Sequence, residues 1–226
     1  MPLARRDRRQ SAFTLIELLT VITLIVILAG IAFGGIKSAK TRANLARARS
    51  DLAALVGALE DYKRYYGDYP QLGAFNQATL TPTSLAAGPG LNTAQAKLFN
   101  CLTGVFGPKS FNNPDRINGP NFLPTQFLEA TKYLNGTLTT TFQVPSTSAP
   151  NPPYKQEQNV GILDPWGHYI LYYYKSAANA ALWQAPGYVL YSVGPDGAHT
   201  QPPNTGISTA AQLAIATNAD NIYAIP

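Results

Sequence analysis

The chain has 226 residues, with 18 Gly, 18 Pro, two His, a single Cys and a formal net charge of +5. That length holds one or two domains; the lone Cys excludes an internal disulfide, and two His as far apart as His168 and His199 exclude a zinc cluster. Arg5, Arg6, Arg8, Arg9 and Asp7 give the first twelve residues a charge of +3 and leave +2 for the rest, so no basic domain of the kind that binds nucleic acid remains.

Residues 1–12 are a basic leader without an apolar core, ending in the small residue Ala12. From Phe13 to Ile36 the only ionisable residue is Glu17. A run of about 20 mostly apolar residues is long enough to cross a bilayer. A charge at the centre of such a helix costs about 2.5–3.5 kcal/mol, which marks Glu17 as a functional residue. A secretory signal is cut after an apolar stretch of about 7–15 residues. Here the small residue stands before the stretch. The order of basic leader, small residue, Phe13-Thr14-Leu15-Ile16-Glu17 and apolar helix resembles the class III signal of type IV prepilins and pseudopilins. The resemblance implies that a prepilin peptidase cuts between Ala12 and Phe13 and methylates the new amine of Phe13, while the helix stays in the protein. Ala12 departs from the Gly usual before the cut. The resemblance also implies that Glu17 meets the amine of a neighbouring subunit during assembly. Within the same run, Gly30 and Gly34 are small residues four apart, a spacing that permits close helix approach in a membrane.

Residues 37–66 contain no Pro, and Leu45, Leu52, Leu55, Leu59, Tyr62 and Tyr66 recur at three-, four- and seven-residue steps. This is the pattern of an amphipathic helix. Its stripe is expected to pack on the protein's own core, with Arg47, Arg49, Asp51, Asp61 and Arg64 on other faces. Gly67-Asp68-Tyr69-Pro70 ends it. Lys37, Lys40, Arg42, Arg47 and Arg49 nearly balance the leader's Arg across the apolar run. The flanking charge therefore does not set the membrane orientation.

Residues 73–161 read mostly as loop, with short helices expected near Thr93–Thr103 and Thr125–Leu134, each opened by a Thr able to cap it. Residues 143–153, rich in Pro, Ser, Thr and Asn, read as an exposed excursion. Cys101 reads as a small buried apolar residue. The Asn135-Gly136-Thr137 sequon is expected to carry no sugar. No nucleophile elbow, phosphate loop or paired catalytic carboxylates appear, so the reading is not an enzyme.

Toward the end, Asp164-Pro165-Trp166-Gly167 reads as a turn with a packed indole. Strands are expected at Tyr169–Tyr174 and Tyr188–Val193, rich in aromatic and β-branched residues. Gly194-Pro195-Asp196-Gly197 is a turn sequence. The pairing of Asp-Pro-Trp-Gly with Tyr191-Ser192-Val193-Gly194-Pro195-Asp196-Gly197 resembles the major pseudopilins of type II secretion systems.

The expected fold is α+β and pilin-like: a long N-terminal α-helix, membrane-spanning in its first half, packed on a small C-terminal antiparallel β-sheet. The expected organisation is a leader at 1–12, a membrane and filament-core helix at 13–36, an amphipathic continuation at 37–66 and a periplasmic head at 67–226. The resemblance implies a single-pass inner-membrane protein that assembles into a periplasmic filament driving protein export. Its implied partners are the prepilin peptidase, copies of itself, other pseudopilins and the inner-membrane assembly platform. A type IV pilin forming a surface fibre, or a minor pseudopilin, is the alternative. The resemblance further implies a calcium ion held by Asp196 and Asp220 with a loop carbonyl at Val193. The 24 positions between the two Asp leave room for a short inserted helix at Ser208–Thr217.

Overall fold

The apolar periodicity after the first helix's midpoint is what organises the core. The computed structural model describes residues 14–72, 88–91, 93–107, 117–129, 133–138, 155–175, 181, 183–202 and 209–224, without the side chains of 31–35, 37 and 209. The leader, Phe13 and the 143–153 excursion lie outside the described residues. Helix α1 runs Leu15–Tyr66 and passes Gly30, Gly34 and Gly35 without a break. It contributes to two units, Met1–Ala43 and Asn44–Pro226.

In the second unit, Leu52, Leu55, Leu59 and Tyr62 are buried at 2% exposure or less. They share a core cluster with Phe99, Phe106, Phe127, Tyr172 and Leu190. Truncating a buried Leu such as Leu55 to Ala costs about 2–5 kcal/mol. One expectation fails on this face. Asp51, expected on an outer face, is 2% exposed. Arg47 Nε lies 3.3 Å from its carboxylate and the Arg47 guanidinium sits 4.3 Å over the Tyr133 ring. The i, i+4 partner supplies the counter-charge that lets the carboxylate lie inside. The helix ends as its sequence requires. Gly67 takes a φ of +84° and its N–H donates to Lys63 O at 2.7 Å, an αL cap only glycine enters without strain.

Helix α2, Ala94–Leu102, opens on Thr93, whose side chain accepts from Ala96 N–H, and every residue of it is buried. Within the second expected helix, Thr125–Leu128 forms a 3-10 turn with Pro124 at its cap and no side-chain cap bond, residues 130–132 lie outside the described residues, and Tyr133 is helical, its N–H donating to Glu129 O at 3.2 Å. Thr125 lies inside that turn and does not cap it.

Strands β1, Leu134–Asn135, and β2, Gly161–Ile162, pair antiparallel. Strands β3, Leu171–Tyr173, β4, Val189–Ser192, and β5, Ile222–Tyr223, form an antiparallel sheet in the order β3-β4-β5. Tyr172 faces Leu190, and Ser192 faces Ile222. The α+β expectation with a small antiparallel sheet therefore holds. The expected insert folds as helix α3, Thr209–Leu213, followed by a 3-10 turn at Ala216–Asn218. Cys101 forms no disulfide and is fully buried, as expected. Asn135 is also fully buried and accepts a hydrogen bond from the Tyr169 hydroxyl, so no glycan fits on its side chain.

Candidate functional site

Two places carry the residues singled out by the sequence. The first is the start of α1. Thr14 N–H and the Thr14 hydroxyl both donate to Glu17 Oε2, at 2.8 and 2.7 Å, and Glu17 N–H donates to Thr14 Oγ1 at 3.3 Å. This is a capping box, in which the first and fourth residues satisfy each other's free groups. The Thr-x-x-Glu spacing announces it, and the sequence reading missed it because it weighed Glu17 only as a membrane charge.

Behind this cap, Leu15, Ile16, Leu18, Leu19, Ile22 and Leu24 are each more than half exposed. Neighbouring residues as far as Leu28 are comparably open. Continuous apolar surface of this kind marks a lipid or protein contact. The helix continues through residues 31–35, whose side chains lie outside the described set, to Ile36, which is again more than half exposed. Among the described residues no helix is long and apolar enough to cross a membrane.

The second place is the turn after β4. Asp164 organises the loop before β3 and ties it to β4. Its Oδ1 accepts from Trp166 and His168 N–H, each at 2.9 Å, and its Oδ2 from the Ser192 hydroxyl at 2.6 Å. Burial pushes this carboxyl up from its usual range, while the Ser192 and backbone hydrogen bonds draw it down. The Asp-Pro-Trp-Gly segment is a turn, as expected, and Asp164 clamps it to β4, while the Trp166 indole, expected to be packed, is only half-buried. Ser192, His168 and Asp164 do not form a nucleophilic relay. The serine hydroxyl donates straight to the carboxylate, and His168 Nδ1 lies 3.0 Å from Gly194 O.

The clamp sets the Gly194–Gly197 turn against the far end of the chain. Gly194 has a φ of +73°, and a Cβ on it would lie 2.5 Å from Asp220 O and 2.8 Å from Asp220 Oδ2. Asp196 N–H donates to Asp220 Oδ2 at 3.3 Å, closing the 24-residue separation. Asp196 Oδ1 accepts from Ala198 N–H at 2.8 Å. The structure thus brings Asp220 to the turn that carries Val193 and Asp196. Asp220 Oδ1 is buried without a hydrogen-bond partner. Among the described residues no group of three or more His, Cys, Asp and Glu side chains converges. Any cation here would rely on two carboxylates and neutral oxygens, a hard donor set suited to calcium.

A family model described as the prokaryotic N-terminal methylation motif matches residues 7–33. The chain is 41% identical over 65 residues to the type II secretion system core protein G of Aeromonas hydrophila, covering 29% of this chain and 46% of that protein. It is 35% identical over 80 residues to the core protein G of Dickeya chrysanthemi, covering 34% and 52%. Against that of Klebsiella pneumoniae it is 35% identical over 77 residues, covering 34% and 55%. The chain spans about half the length of the curated relatives it matches. No solved structure matches it.

Proposed function

We propose that this chain, which carries a prokaryotic N-terminal methylation motif and is similar to type II secretion core protein G, is a structural subunit of a type II secretion pseudopilus. The observation that carries the reading is the exposed apolar surface of Leu15–Leu28, capped by Thr14 and Glu17 and placed within the matched motif. Segment 13–36 holds the subunit in the inner membrane before assembly. Prepilin peptidase removes residues 1–12 and methylates Phe13. The same apolar surface then meets copies of itself and other pseudopilins in the filament core, at the inner-membrane assembly platform. The head at 67–226 projects into the periplasm.

The work is mechanical. Exposed apolar surface is stable only under lipid or under protein. Exchanging one cover for the other lets the subunit leave the membrane without exposing the helix to water. Glu17 carries the only charge in the run and pairs with the Phe13 amine of a neighbour. A lone buried charge is costly and a paired one much less so, which sets the register of assembly. The wiring of Ser192 to Asp164 supports a structural, non-catalytic role for the loop before β3.

Calcium would be held by Asp196, Asp220 and the Val193 carbonyl. The unpartnered Asp220 Oδ1 fits that role. The ion would neutralise the two carboxylates and cross-link the turn after β4 to the segment leading into β5.

Deleting the gene should trap secreted proteins in the periplasm, and the wild-type copy should release them. Normal export in the deletion strain, with loss of surface fibres, would instead identify the chain as a type IV pilin.

A further inference from the structure

The insert between Asp196 and Asp220 is tied together by a buried amide network. Asn218 is fully buried. Thr200 N–H donates to Asn218 Oδ1 at 2.6 Å, which identifies that atom as the oxygen. Asn218 Nδ2 donates to Gln212 Oε1 at 3.0 Å and to Thr200 O at 3.4 Å. The Asn221 amide atom that meets Asn218 Oδ1 at 3.1 Å must then be the donor Nδ2, which also lies 3.3 Å from the Tyr223 hydroxyl. This chain of donors and acceptors fixes the orientation of the Asn221 amide.

What remains is the other end of that amide. Asn221 is 6% exposed, and its Oδ1 is buried without a hydrogen-bond partner. Asp220 Oδ1, on the adjacent residue, is in the same state. Buried acceptors are nearly always satisfied, so each such oxygen calls for an explanation. One explanation serves both. An Asn carbonyl is a hard neutral oxygen of the kind calcium takes, and calcium needs six to eight ligands where only two carboxylates are at hand.

We infer that Asn221 Oδ1 is a further ligand of the cation held by Asp196 and Asp220, and that the insert, through Asn218, is the arm that presents it. The inference rests on the calcium reading above. It gives the inserted α3 and its 3-10 turn a purpose. They carry Gln212 and Asn218, the two side chains that lock the Asn221 amide with its oxygen free.

The test uses the full chain extracted in detergent, with calcium titrated against chelator. Thermal melts and terbium luminescence sensitised by nearby tyrosines provide the readouts. Wild type should gain melting temperature with calcium, since a ligand that binds the native state alone must stabilise it. Asn221→Ala should bind about tenfold more weakly, the lower end of what losing an orienting group costs a metal site. Tyr223→Phe removes one Nδ2 contact and keeps Oδ1, so its thermal melts should respond to calcium like those of wild type. Asn221→Asp keeps an oxygen and adds charge but sets a second acceptor against Asn218 Oδ1 in place of the donor, a repulsion that bound calcium offsets, so its melting temperature should rise with calcium more than that of wild type. If wild type responds to calcium and Asn221→Ala responds equally, the inference is overturned while the calcium reading stands. If wild type does not respond, both fall. If Asn221→Ala does not fold, Asn221→Asp decides, and a calcium-induced rise in melting temperature no larger than that of wild type overturns the inference.

Discussion

A single oxygen of Glu17 holds Thr14 twice, through its hydroxyl at 2.7 Å and its N–H at 2.8 Å. The residue that ties down the first turn of α1 is also the only charge in the apolar run. Cap and charge are separable by substitution. Glu17→Gln keeps the capping-box chemistry, because Gln serves there as Glu does, and removes the charge. Glu17→Leu removes both. Both variants are expected to be cleaved and inserted normally and to give far fewer filaments than wild type. Filament counts by electron microscopy check this. Full assembly of Glu17→Gln would show that the cap, not the charge, is what assembly requires.

Processing should leave Phe13 as the first residue. Mass spectrometry of the membrane-extracted protein is expected to find an N-methylated Phe13 terminus. An intact Met1 terminus in cells with active peptidase would contradict the assignment. Ala12→Gly, which restores the residue usual in this class of signal, should leave the cleavage point unchanged and raise its rate.

Asp164 accepts from Ser192, Trp166 and His168 while 2% exposed. Asp164→Ala strands these donors in the interior, and each unsatisfied buried group costs about 1–3 kcal/mol. A clear fall in melting temperature is expected, read on the full chain in detergent. Because the clamp positions the turn carrying Asp196, calcium stabilisation should weaken in the same variant.

Asp68 follows the cap of α1 and anchors the end of β3. It lies 2.6 Å from Lys175 Nζ and accepts from the Tyr174 hydroxyl at 2.7 Å, from Gln71 and from its neighbour's N–H. Partial burial raises its carboxyl, but the Lys175, Tyr174 and Gln71 hydrogen bonds together outweigh burial and hold it below the usual carboxylate range. A carboxyl with a depressed folded pKa adds stability that is complete above its unfolded pKa, about 3.9, and is lost as pH falls through the folded value. Melting temperature should therefore drop below about pH 4. Asp68→Asn should be less stable than wild type at neutral pH and show a shallower acid slope. An identical slope in the variant would remove Asp68 from this role.

Much of this architecture is legible in local sequence. The buried stripe of Leu52, Leu55, Leu59 and Tyr62, the Gly67 stop, the Thr93 cap and the aromatic run of β3 are each written within a few neighbouring residues. What was not legible depends on distant partners. Strands β1, β2 and β5 are two residues each and exist only through their pairing, so no periodicity announces them. Asp51 looks like a surface charge until Arg47 turns toward it over Tyr133. At the turn after β4, sequence resemblance named Asp196 and Asp220. The glycine that lets them meet and the amide network beside them emerge only once the insert has folded back.

The most direct measurement of the central claim is electron microscopy, with immunogold labelling, of cells overexpressing the chain alongside the secretion assembly platform. The account predicts filaments built from this chain, with a Phe13 terminus in the material sheared from them and a marked loss of filaments in Glu17→Leu. A chain that stays in the membrane as a monomer in cells with an active platform and peptidase, or filaments that form as well with Leu at position 17, would contradict it.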